Sequence, residues 1–111
     1  NEFNKILLIS IGAIPGVLIR WHLNNSFLVN LVGAIVIGFV IGYEFRYPLK
    51  LLIGVGFCGA LTTFSTWIVD CLQLMINGNW IDGIALIILP LTIGLFVCAI
   101  GYFLGYRFKY L

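Results

Sequence analysis

An all-α membrane protein of four transmembrane helices, the third broken near its middle, is the fold class this chain predicts. Three observations carry that reading. Of 111 residues, 62% are hydrophobic and 9% charged, with a mean hydropathy of +1.15; a soluble domain carries about 25% charged residues. The apolar residues fall into four runs with short polar connections, each close to the roughly 20 residues that cross a bilayer core. The third run is interrupted by four hydroxyl side chains in five positions, Thr62, Thr63, Ser65 and Thr66. Irregular, polar backbone survives at membrane depth only inside protein or beside a water-filled path. A break of this kind points to a site.

Span one covers about residues 5–23. Its apolar run, Ile6 to Ile19, is only 14 residues long, so Arg20 falls within reach of the membrane. Arg20 reads either as a snorkelling interfacial cation or as a vestibule charge that draws anions, since ionisable groups at membrane depth are functional by default. The N-terminal run has no basic leader, a lone Lys5 and no small-residue cleavage site, so we read it as a retained helix and not as a signal peptide. Span two, about residues 27–43, is interrupted only by Asn30, with Gly33 on the same face. Asn30 can bond between helices, or its amide donors can serve a dehydrating anion. Span three covers 51–75 and span four 84–106. Pro15 and Pro90 are expected to kink spans one and four. One membrane domain, 1–111, accounts for the chain.

Glycine spacing predicts close packing. Eleven of the 13 glycines lie inside spans, and Gly12/Gly16, Gly38/Gly42 and Gly101/Gly105 have the i, i+4 spacing that lets helix backbones approach in lipid. A tight bundle follows, and an oligomer, because four helices of this length enclose no polar path alone.

Thr62, Thr63, Ser65 and Thr66 could each back-bond to the preceding turn. Four together beside Gly59 read better as an unwound helix whose freed carbonyls suit a small hard cation. Phe64 and Trp67 share a helical face; they are packing residues, or rings whose positive edges line an anion path. Asp70 continues that face as an interfacial carboxylate or a mouth residue. His22 has no partner in sequence reach. Cys58, Cys71 and Cys98 match no zinc spacing and, being three, make no disulfide framework; they read as small packing hydrophobes. A net charge of +2 without a basic cluster argues against nucleic acid. No nucleophile–base pair, phosphate loop or metal-ligand cluster occurs, so catalysis is not expected.

Three motifs in order resemble the CrcB/Fluc family of fluoride channels: Gly12-x3-Gly16-x3-Arg20, Val29-Asn30-Leu31-Val32-Gly33, and Gly56-Phe57-Cys58-Gly59-Ala60-Leu61-Thr62-Thr63-Phe64-Ser65-Thr66. The last looks like the family's G-x-x-G-G-x-T-T-F-S-T signature. The resemblance implies an antiparallel, inverted dimer with a structural sodium ion held at its centre by backbone carbonyls, carried over here to Gly59 and Thr62. It further implies fluoride pathways that use the family's asparagine, phenylalanines and hydroxyls, here Asn30, Phe64, Trp67, Thr63, Ser65 and Thr66. Asp70 matches a position where the family usually has glutamate, and Arg20, Asp70 and Thr92 are candidate vestibule or mouth residues. The sequence departs from the pattern at Trp67, where the family has a second phenylalanine, and at Ile68, where a serine often follows. In span four Thr92 is the one candidate hydroxyl, and Pro90 is a candidate occupant of another expected place. If Trp67 stands in for a pore ring, Trp67→Phe should preserve or raise conduction. Asn30→Leu should stop flux and leave the dimer folded.

Lys5, Arg46, Lys50, Arg107 and Lys109 flank one side of the predicted bundle and Arg20 the other, five against one. That bias predicts a fixed orientation with both termini cytoplasmic, in a plasma membrane such as the bacterial inner membrane. A chain that inserts both ways should be balanced, so the partner expected is an oppositely oriented paralogue. One rival is a non-conducting or half-degraded subunit of such a heterodimer. A remote rival is a small multidrug-type exporter, whose membrane-embedded glutamate has no counterpart in span one.

Overall fold

Each of the four apolar runs is helical in the computed structural model, which describes residues 1–111. Helix α1 (Glu2–Leu23) begins with the Asn1 side chain accepting the Asn4 N–H and ends at Asn24, whose left-handed backbone (φ 47°) returns its N–H to the Arg20 carbonyl. The next residue, Asn25, is already the cap of α2 (Ser26–Tyr43), accepting the Leu28 N–H. Consecutive asparagines thus end one helix and start the next, since asparagine tolerates the left-handed region and also caps well. Glu44, at φ 61°, ends α2.

The third span, Tyr47–Ile76, is composite. It contains α3 (Tyr47–Leu49) with Pro48 at its start, a π-helical segment (Lys50–Cys58), α4 (Gly59–Leu61) and α5 (Ser65–Ile76). Residues 62–64 are non-helical, so the break falls where the hydroxyl run predicts it. The π-helical stretch was not legible in the sequence. Such wide turns are rare and tend to occur at functional sites. Helix α6 (Trp80–Lys109) closes the chain with 30 residues, about 45 Å at 1.5 Å per residue. It is longer than predicted at both ends and continues through Pro90, as α1 continues through Pro15.

The glycine pairs join helices within the subunit. Helix α6 lies along α2, while α1 lies along the π-helical segment. A methyl group at Gly38 or Gly42 would strike the Cys98 or Tyr102 carbonyl, and one at Gly101 or Gly105 the Ile35 or Phe39 carbonyl. Gly12 and Gly16 face the Leu52 and Phe57 carbonyls in the same way. These contacts make α2 and α6 a close-packed pair. Gly59 and Gly94 have no such neighbour within 4 Å.

Only Leu61, Val29 and Val40 are large and fully buried, whereas Leu95, Phe96 and Phe103 stand exposed. An inverted distribution of this sort suits lipid and a second subunit, not water. At one end Lys109 pairs with Glu44, and Lys5 lies 5.8 Å from the centre of the Tyr47 ring. Phe39, Tyr43, Phe45 and Phe108 cluster there, mostly edge to face. The N-terminus, the 44–46 connection and the C-terminus therefore share an end, as the grouping of basic residues requires.

Candidate functional site

The break is held open by one asparagine. Thr62 is extended (ψ 154°), although its hydroxyl still donates to the Cys58 carbonyl at 2.9 Å. Thr63 leaves the helix altogether. Its N–H donates to Asn30 Oδ1 at 2.7 Å, and Asn30 Nδ2 donates to the Thr63 carbonyl at 3.0 Å. A primary amide matches a peptide unit in shape and in donor–acceptor order, so Asn30 pairs with Thr63 as a neighbouring strand would. Thr63 Oγ1 accepts the Thr66 N–H at 3.4 Å and lies 3.3 Å from Thr66 Oγ1, which starts α5.

This arrangement releases backbone oxygen. In continuous helix the Gly59 and Thr62 carbonyls would accept from the N–H groups of Thr63 and Thr66. Here the first of those donors goes to Asn30 and the second to Thr63 Oγ1. Both carbonyls lack their ordinary partner, and Gly59 is exposed. Neutral hard oxygens without internal donors are the ligand class a sodium-sized cation takes, so Gly59 and Thr62 fit that role chemically.

Two clefts flank the Asn30–Thr63 pair. The larger, about 760 Å³, is lined by Val17, Arg20, Trp21, Asn24, Asn25, Ser26, Val29, Thr63, Ser65, Thr66 and Asp70. It opens at the end opposite the basic cluster. Arg20 and Asp70 both line it and form no ion pair with each other; the ion pairs are Lys5–Glu2 and Lys109–Glu44. The smaller, about 260 Å³, is lined by Asn30, Trp67, Pro90, Leu91, Gly94 and Leu95. Asn30 has used one N–H on Thr63, and its second makes no bond within the chain.

Phe64 is 69% exposed and meets Trp67 edge to face, with centroids 5.6 Å apart and planes at 75°. The predicted residues are therefore divided: Thr63, Ser65, Thr66, Arg20 and Asp70 line the larger cleft, Asn30 and Trp67 the smaller, and Phe64 projects from the surface between helices. Thr92 joins neither. Its hydroxyl donates to the Ile88 carbonyl at 2.9 Å on an exposed face.

Sequence reasoning missed the Asn24-Asn25-Ser26 corner as cleft wall, although its polarity beside Arg20 was visible. It also missed a bond from Trp67 Nε1 to the Leu86 carbonyl at 2.7 Å. Pro90, which withholds an N–H from the residue four before it, was the available signal.

Residues 7–102 match the family described as CrcB-like protein, Camphor Resistance (CrcB). The chain is 46% identical over 109 residues to a fluoride-specific ion channel FluC 2 of Prochlorococcus marinus (strain MIT 9313), covering 98% of this chain and 88% of that protein. Parasynechococcus marenigrum (strain WH8102) has two similar proteins. Its fluoride-specific ion channel FluC 2 is 39% identical over 114 residues, covering 98% of this chain and 86% of the relative. Its fluoride-specific ion channel FluC 1 is 34% identical over 117 residues, covering 91% and 93%.

Proposed function

This chain belongs to the CrcB family, and on that premise we propose that it is a subunit of a fluoride-selective channel that exports fluoride and relieves its toxicity. It is a channel protein and not an enzyme, in keeping with its relatives. The observation that carries the reading is the two-bond pairing of Asn30 with Thr63. It keeps a membrane helix open near its middle, leaves an amide N–H and hydroxyls unpaired beside two clefts, and frees the Gly59 and Thr62 carbonyls on the turn before the break.

Fluoride is small and strongly hydrated, so a pore must replace its water with good donors. A single deep cationic site would hold the ion too firmly to conduct. The free Asn30 N–H, the Ser65 and Thr66 hydroxyls and the ring edges of Phe64 and Trp67 instead offer several moderate sites. Arg20 raises the local anion concentration at the mouth of the larger cleft, with Asp70 opposite. The released Gly59 and Thr62 carbonyls would hold a structural sodium ion, supplying a fixed positive charge near the pathway.

The functional unit is an antiparallel dimer. With five basic residues at one end and one at the other, this chain takes a fixed orientation, both termini cytoplasmic in the plasma membrane. It pairs with an oppositely oriented paralogue. The presence of both a FluC 1 and a FluC 2 in one strain supports that arrangement.

Fluoride efflux from proteoliposomes holding this chain alone, then with a FluC 1-type chain, tests the reading. Efflux that appears on adding the second chain is expected. Strong efflux from this chain alone would remove the partner, and none in either case would remove the channel. A second reading, a subunit whose own pathway is silent, is favoured by the smaller cleft, whose wall along α6 is Pro90, Leu91, Gly94 and Leu95. Ser65→Ala, which removes a cleft hydroxyl that makes no bond within the chain, and the matching change in the partner separate the two.

A further inference from the structure

Proline inside a helix withholds the N–H that residue i−4 would accept. Pro90 does this to the Leu86 carbonyl, within a 30-residue membrane helix. That carbonyl is bonded nonetheless, by the indole Nε1–H of Trp67 at 2.7 Å. No comparable repair exists at the other intrahelical proline: Pro15 deprives Ile11, and no side chain donates to Ile11. Trp67 Nε1 to Leu86 is also the one side-chain hydrogen bond joining α5 to α6.

We propose that Trp67 and Pro90 are a matched pair. The indole N–H replaces the donor that Pro90 removes, and the bond pins the far side of the broken helix to α6. Trp67 is on this account a positioning residue, whatever its ring contributes to an ion path. The near side of the break is held by α2 through Asn30 and Thr63, while the far side is held by α6 through Trp67. Since α2 and α6 are locked by glycine contacts, both ends of the break are referred to one rigid frame. Trp67, Pro90 and Asn30 line the same 260 Å³ cleft, so the pinning also sets that cleft's width. A phenylalanine at 67 could fill much of the space without making the bond; tryptophan at this position and proline at 90 therefore explain each other.

The test is a cycle of four chains: wild type, Trp67→Phe, Pro90→Ala and the double variant. A fifth chain carries the benzothiophene analogue of tryptophan at 67, which keeps the ring area and lacks the donor. Thermal midpoints in detergent and fluoride efflux from liposomes reconstituted with the FluC 1-type partner are read for each. Trp67→Phe and the analogue should each lower the midpoint by about 3–6 °C and reduce efflux several-fold. That is the reverse of the preserved or raised conduction expected of a pore ring alone, because the bond to Leu86 is lost. In the Pro90→Ala background, where the substituted residue supplies its own backbone N–H, most of the Trp67→Phe loss should disappear. If Trp67→Phe yields no folded protein, its recovery in the double variant supports the pairing equally. An equal loss in both backgrounds, or a wild-type midpoint for the analogue, overturns it. The efflux arm rests on the channel reading and the midpoint arm does not. Coupled midpoints with no efflux from any chain would leave the pairing standing and discard the channel.

Discussion

Asn30→Leu separates two accounts of this asparagine. The sequence leaves Asn30 either a bond between helices or a pore donor, and in the second case its loss stops flux in a folded dimer. The structure gives the first task a partner. The Asn30 carbonyl oxygen and one N–H hold the Thr63 peptide at 2.7 and 3.0 Å, and leucine offers neither. A buried polar group that loses its partner costs roughly 1–3 kcal/mol, so the two orphaned groups of Thr63 set an upper range of about 2–6 kcal/mol. Thr63 is half-buried and lines the larger cleft, where water can satisfy part of the deficit. A loss of about 2–4 kcal/mol remains. Asn30→Asp keeps the acceptor for the Thr63 N–H and loses the donor to its carbonyl, so it should lose about half as much. Denaturation in detergent and hydrogen exchange at the Thr63 amide measure both variants. Asn30→Leu should be destabilised and lose protection at Thr63. A wild-type denaturation midpoint together with an unchanged exchange rate would refute the pairing as the element that holds the break.

Other outcomes follow from the same contacts. Gly101→Ala drives a methyl group into the Ile35 carbonyl, which backbone cannot yield cheaply, and should cost about 1–3 kcal/mol of subunit stability in the same denaturation assay. Gly59→Ala meets nothing within 4 Å at a right-handed helical φ of −62°; the isolated subunit should be unaffected, with any loss confined to dimer formation measured by cross-linking. Thr92→Val removes a hydroxyl that bonds only to its own helix and should leave fluoride efflux within about two-fold. Replacing sodium by a large organic cation should reduce dimer stability in detergent if the Gly59 and Thr62 carbonyls hold the ion, and an unchanged dimer would remove that site.

What the sequence made legible was whatever depends on local chemistry. The four spans followed from hydropathy, and the position of the break from the hydroxyls at Thr62 to Thr66. The packing role of the glycine pairs followed from spacing alone. Partners did not. Gly38 gave no indication that it faces Cys98 and not a second subunit, because i, i+4 spacing is the same for both. Asn30 stood out as polar, yet nothing in its neighbourhood named Thr63, 33 residues away. The division of the predicted residues between two clefts depends on the turn of α5 after the break, which no single-sequence pattern encodes. The π-helical segment is a further case: Gly54 and Gly56 permit it, but they would also permit an ordinary helix.

The polar groups of this membrane interior have a common logic. Thr62 Oγ1 bonds to Cys58, Thr63 Oγ1 receives the Thr66 N–H, Asn30 binds both sides of the Thr63 peptide, and Trp67 serves Leu86. The last three repair backbone hydrogen bonds interrupted by the helix break or by Pro90, whereas the Thr62 hydroxyl back-bonds to a carbonyl that still accepts the Thr62 N–H at 3.1 Å. Backbone repair therefore takes most of the donors that sequence reasoning would offer to an ion. What remains is the second Asn30 N–H, the Ser65 and Thr66 hydroxyls, the Phe64 and Trp67 backbone N–H groups at the start of α5, and the unpartnered Gly59 and Thr62 carbonyls. That remainder is divided by sign, donors at and after the break and acceptors on the turn before it. An anion and a cation can consequently be served by one broken helix without competing for the same atoms. Substitutions among the repair groups should act on stability first and flux second, whereas those among the remainder should alter flux in a chain that still folds.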